Sequence, residues 1–172
     1  MAKLVDLTGK WAEAIGQAFV AFGSFEHVTV ACLEQIPLDS IVRSTAKLGL
    51  AHRIELITEI LSAYRGEIFV ELATKLEEAR IMTSTRNLIA HNPLVMNIYQ
   101  RADGTIFHKE VINALHKERQ ITLSELQDFA GRAERLASDL YGAAGKVFVA
   151  LSEARGKPQL KRPNSKKSKT PK

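Results

Sequence analysis

From Trp11 to Ile36 the residues Trp11, Ile15, Ala18, Phe22, Phe25, Thr29, Cys32 and Ile36 recur at alternating spacings of four and three. That period places all eight on one stripe of an α-helix. A strand cannot meet it, because its two faces alternate at every residue. Phe19 and Val28 widen the stripe, so the helix is expected to be buried on more than one side. Gly16 and Gly23 weaken it by propensity or allow close helix contact. A long helix with such a seam has to pack against other helices, and this requirement governs the rest of the chain. Ile36-Pro37-Leu38-Asp39 ends the pattern, and Asp39 or Ser40 can cap the next helix.

The second helical region runs from about Ser40 to Ala63, with Ile41, Leu48, Leu50, Ile54, Ile57, Ile60 and Leu61 on its apolar side. Gly49 divides it into a short and a longer helix. Arg65-Gly66 reads as a turn, and a third helix extends from Glu67 to about His91. Beyond Pro93 the pattern changes. Val95–Tyr99 and Thr105–His108 are β-branched and aromatic, and Asp103-Gly104 between them is a hairpin signal. The result is a two-stranded insertion that needs support from the helices. Lys109–Gln120 is ambiguous. Thr122-Leu123-Ser124-Glu125 is a capping box. It opens a last long helix whose buried face carries Leu126, Phe129, Ala133, Leu136, Leu140, Ala144, Val147 and Leu151. The expected fold is all-α, an antiparallel bundle of four to five helices with a small hairpin inserted before the last long helix.

Composition sorts partners and compartment. The 172 residues suffice for one domain, and 45% hydrophobic with 25% charged residues is ordinary for a globular protein. One cysteine, Cys32, excludes an internal disulfide and a cysteine-cluster zinc site, and its apolar setting marks a buried thiol. The N-terminus lacks the apolar core of a signal peptide, and no run is long enough to span a membrane. A cytoplasmic protein with no membrane partner, metal or cofactor is expected. The net charge of +5 belongs to the tail: Gly156–Lys172 carries seven cations and no acid, and removing them leaves about −2 for residues 1–155. The chain therefore divides into a helical domain, 1–155, with its hairpin at about 95–108, and a basic tail, 156–172, expected to be disordered. Lys161, Arg162, Lys166 and Lys167 of that tail are candidate RNA-binding residues; a plain solubilising tail is the alternative.

The richest stretch for chemistry is Thr83–Pro93. Pro93 disfavours helical geometry at Asn92, so the third helix is expected to stop at or just after His91. Its stripe Phe69, Leu72, Ala73, Leu76 turns polar further on, as Arg80, Thr83, Ser84, Asn87 and His91, while Ile81, Met82, Leu88 and Ile89 move to the other side. Asn87 and His91 are stacked by their four-residue spacing, and Arg86 flanks them. Polar residues continuing a core-facing line need partners, water or a ligand. This pattern suits a polar cleft or a polar subunit seam. Arginine offers a planar fork for phosphate oxygens, and histidine exchanges protons near neutral pH. With asparagine they suit metal-free RNA cleavage, in which the 2′-hydroxyl attacks the adjacent phosphorus. That scheme needs two proton-transfer groups, and the stretch has one histidine. A two-fold dimer with both helix ends at its seam would supply two.

Arg86-Asn87-Leu88-Ile89-Ala90-His91 resembles the signature of the HEPN superfamily (higher eukaryotes and prokaryotes nucleotide-binding): an arginine, a polar neighbour, and a histidine four to six places beyond the arginine. The capped long helix after a hairpin is similar to bacterial members, and the likeness extends over roughly residues 8–154. The resemblance implies a homodimer with metal-independent endoribonuclease activity, acting as a toxin or in phage defence, with an antitoxin or inhibitor protein as partner. By it His91 is the acid/base, Arg86 the phosphate-stabilising residue and Asn87 the polar neighbour. Arg80, Thr83 and Ser84 on the same stripe are candidate RNA- or phosphate-binding residues, although Arg80 reads more readily as structural than as catalytic. Plainer readings stand beside these. His91 can cap the helix end through a backbone carbonyl, and Arg86 can pair with an acid on a neighbouring helix. His52, His108 and His116 lack metal-ligand partners at useful spacing, and His27 reads as solvated. His108 and Glu110 can approach the cleft from the hairpin. The main alternative function is a non-catalytic dimeric interaction or nucleotide-binding module; a third option is an adaptor whose Lys-rich tail binds nucleic acid.

Overall fold

The computed structural model describes residues 8–37, 40–45, 47–113 and 119–156. Asp39, His116 and the tail cations Lys161, Arg162, Lys166 and Lys167 lie outside the described residues. The protein is mostly helical. The described residues form five helices, α1 (Lys10–Gln35), α2 (Val42–Thr45), α3 (Leu50–Ser62), α4 (Glu67–His91) and α5 (Leu123–Arg155), with a small antiparallel sheet between α4 and α5. The sheet holds β1 (Leu94–Gln100), β2 (Ile106–Asn113) and β3 (Gln120–Ile121), in that spatial order.

The seam of α1 is buried as its spacing requires. Trp11, Ala18, Phe22, Phe25, Thr29, Cys32 and Ile36 are all inside, with Val28 beside them. Phe22 meets Phe25 edge-on and stacks on Phe129 of α5, and α1 packs more extensively on α5 than on any other helix. In turn α5 packs on α4, α4 on α3, and α3 back on α1, so the four long helices share one apolar core. Burial pushes the Cys32 thiol up to about 12, because a thiolate there would lose its water. Arg155, at the end of α5, donates to the carbonyls of Gln35 and Ile36 and so satisfies the open end of α1.

Gly49 separates α2 from α3 in an extended conformation, as the sequence led one to expect. The capping box of α5 is formed: the Glu125 N–H donates to Thr122 Oγ1 at 3.3 Å, and the Thr122 N–H donates to Glu125 Oε2 at 2.7 Å. The insertion is larger than a two-stranded hairpin. β2 runs to Asn113 and pairs its end with β3, Ile112 opposite Ile121. At the turn Gly104 has φ 84°, a left-handed conformation that favours glycine, and Asp103 Oδ1 accepts the Thr105 N–H. The support comes from α1: the Trp11 indole N–H donates to Glu110 of β2 at 2.8 Å.

Candidate functional site

Pro93 sets the end of α4. Asn92 is extended, at φ −125° and ψ 145°, and the helix stops at His91. The Asn92 side-chain amide donates to the Leu88 carbonyl at 2.8 Å. Capping of this helix end is therefore done by Asn92 and not by His91. The His91 imidazole is exposed and has no hydrogen bond or ion pair among the described residues.

The line of polar residues leading to His91 divides into three environments. Arg80 is occupied: its Nε and Nη2 each donate to the Glu77 carboxylate at 2.7 Å, and Glu55 lies 3.7 Å from Nη1. The fork on Glu77 is the first cause holding the Arg80 guanidinium pKa up and the Glu77 carboxyl down. Thr83 and Ser84 turn their hydroxyls back onto the helix, donating to the Arg80 and Ile81 carbonyls. Of the four apolar residues on the other side, Ile81 is 64% exposed, whereas Met82, Leu88 and Ile89 are buried.

Arg86 is different. Its guanidinium carbon sits 4.9 Å from the centre of the Phe19 ring, and Nη1 donates to Asn87 Oδ1 at 3.2 Å. No acid pairs with it among the described residues. With Asn87 and Thr83 it lines a cleft of about 450 Å3 between α4, α1 and the start of α3. Phe19, Phe22, Gly23 and Glu26 form the α1 wall; Gly49, Leu50, Ala51 and His52 form the α3 wall. The acid in that cleft is already engaged: Glu26 pairs with Arg53, whose side chain is only 11% exposed. Burial lowers the Arg53 pKa, and its Nε is enclosed with no hydrogen-bond partner. The cleft thus presents a half-buried guanidinium, an amide whose NH2 is not used by Arg86, and the first turn of α3. A helix N-terminus carries partial positive charge, so the whole favours an anion.

His91 does not line this cleft. Arg86 and Asn87 are brought together, and the imidazole stands apart at the helix end. His108 and Glu110 do not line it either; Glu110 is engaged by Trp11. His27, read as solvated, shares a 3.2 Å hydrogen bond with the Tyr141 hydroxyl. A larger hollow, about 550 Å3, lies between α4 and α5, where Glu78 and Asp139 alternate with Arg132 and Arg135. Its mixed charges single out no ligand. Among the described residues no group of three His, Cys, Asp or Glu side chains is placed to hold a metal ion, and no helix is long and apolar enough to cross a membrane.

Two cleft residues, Phe19 and His52, carry no local signal of a site. Phe19 reads as one more seam residue and His52 as a histidine without partners, and only the packing of three helices brings them to Arg86. No family model, curated protein or solved structure matches the chain.

Proposed function

We propose that this chain is a metal-independent endoribonuclease of the HEPN type, built on an antiparallel bundle of its long helices. It works as a cytoplasmic homodimer in a toxin or phage-defence role, subject to an antitoxin or inhibitor protein. Arg86 stabilises the charge that develops on the phosphate oxygens. Asn87 orients it through the 3.2 Å hydrogen bond, and His91 transfers a proton. The observation that carries this reading is the contrast in pairing along α4. Arg86 alone of its arginines lacks an acid among the described residues, opens into an anion-favouring cleft, and stands five residues, about 1.4 turns, before an unbonded imidazole. His91 lies outside its own protomer's cleft, which fits a site completed across a two-fold seam. The tail cations Lys161, Arg162, Lys166 and Lys167 add non-specific attraction for the RNA backbone.

The test is cleavage of single-stranded RNA in the presence of chelator by the wild type, His91→Ala and Arg86→Ala. The products should end in 2′,3′-cyclic phosphate and 5′-hydroxyl. Both variants should lose cleavage while keeping the helical circular dichroism and the sedimentation of a dimer. A wild type that cuts no RNA, with variants that fall apart into monomers, sinks the reading. The separation of His91 from the Arg86 cleft favours a second reading, a non-catalytic dimeric interaction or nucleotide-binding module, and that result would support it.

A further inference from the structure

Among the described residues, the cleft that holds Arg86 and Asn87 contains one imidazole, and it belongs to His52. We infer that His52 is a catalytic residue, the second proton-transfer group of RNA cleavage, facing the same phosphate as Arg86. The inference rests on the ribonuclease reading above and deepens it: that chemistry needs two such groups, His91 stands outside its own protomer's cleft, and His52 offers one inside it besides any that a two-fold seam brings.

The cleavage step balances as follows. One imidazole, neutral at the start, takes the proton of the 2′-hydroxyl while O2′ bonds to phosphorus. The other, protonated at the start, gives its proton to O5′ as the P–O5′ bond breaks. The products are a 2′,3′-cyclic phosphate and a 5′-hydroxyl, and water returns both imidazoles to their starting states. The groups that could exchange protons near the cleft are few. Glu26 comes from α1, but Arg53 of α3 holds its carboxylate as an ion pair. Arg86 comes from α4 and carries a guanidinium, which serves as a hydrogen-bond donor and not as a proton-transfer group. His52, third residue of α3, is exposed and has no side-chain hydrogen bond or ion pair among the described residues. It therefore has both ring nitrogens available to a ligand, and of these groups it alone is an imidazole, which can serve as general base or general acid. Phe19 opposite, with the Arg86 guanidinium over its ring, gives the cleft an apolar wall against which a nucleotide can lie.

The experiment uses the full chain as wild type, His52→Ala, His52→Gln and His91→Ala. Cleavage of a single-stranded RNA oligonucleotide is followed from pH 5 to 9 in chelator, and binding is read separately on the same sequence with 2′-deoxy sugars. His52 is exposed, so its replacement should leave the fold intact. The expected result is a bell-shaped wild-type profile, a loss of about 100-fold or more in both His52 variants, and disappearance of one limb of the bell. Binding of the deoxy oligonucleotide should stay within about threefold, the sign of a proton-transfer role and not of a lost contact. His52 variants that cleave at the wild-type rate with an unchanged bell overturn the inference and leave the ribonuclease reading standing. Equal losses of cleavage and deoxy-oligonucleotide binding, with the bell unchanged, also overturn it, since His52 is then a binding residue. A wild type that cleaves nothing removes the ribonuclease reading itself, and this inference with it.

Discussion

Arg80 and Arg86 stand less than two turns apart on α4, and their surroundings are opposite. Arg80 is gripped by Glu77 and approached by Glu55, so its charge is spent within the protein. Arg86 meets a ring and an amide and keeps its charge available to the cleft. Both are half-buried arginines on a helix whose apolar side faces the core. Arg80 finds Glu77 one turn back on α4 itself and Glu55 on α3, while beside Arg86 α1 offers Phe19 and a glutamate already taken by Arg53. An arginine's role is set by what it is left without.

Exchanging the two arginines' fates is the sharpest way to break this comparison. Arg86→Ala should reduce RNA cleavage by about 100- to 1,000-fold, the usual cost of removing one donor from developing phosphate charge, with the circular dichroism unchanged. A variant that cleaves normally would end the distinction. Arg86→Lys keeps the charge and loses the planar fork. It should recover only part of that loss, measured in the same assay, with cleavage still about tenfold or more below wild type.

Asn92→Ala tests the helix end that carries His91. Removing the amide that caps Leu88 should cost about 1 kcal/mol in urea unfolding. It should also lower cleavage by less than Arg86→Ala does, because the imidazole loses its fixed position without being removed. The smallest effect belongs to Arg80→Ala, which should leave cleavage and the melting temperature near wild type, as expected of an exposed pair. Its trace is in the pH dependence. The Arg80 fork holds the Glu77 carboxyl below its ordinary value. Whatever the pair contributes is therefore present above the usual carboxylate range and lost as pH falls through the depressed value. Melting curves of Arg80→Ala and wild type should converge on acidification. Divergence at low pH would show that the pair is not what distinguishes Arg80 from Arg86.

Much of the fold is legible in the sequence because it is fixed by local chemistry. Pro93 disfavours helical geometry at Asn92, and α4 ends at His91; Gly49 interrupts the second helical region; Asp103-Gly104 turns the hairpin. Thr122 and Glu125 cap each other within four residues. β3 escapes such reading because two residues carry no period, and it exists only through pairing with Ile112 and Asn113. The link from Trp11 to Glu110 spans 99 positions and leaves no trace in either neighbourhood.

The candidate site divides along the same line. Arg86, Asn87 and His91 are visible as a spacing on one helix. The polar line through them is not one surface, because α1 and α3 cover part of it and leave the last turn bare. The sequence by itself determined the helices, their ends and the identity of the arginine, asparagine and histidine, since these follow from period, proline and cap. Only the tertiary structure decided that Glu55 joins the local Arg80–Glu77 pair, that Arg86 meets Phe19 and no acid among the described residues, and that His52 shares the cleft while His91 stands outside it. Those outcomes depend on which side chains of α1 and α3 arrive opposite each turn of α4, and contacts between distant segments are set by packing, not by local residue order.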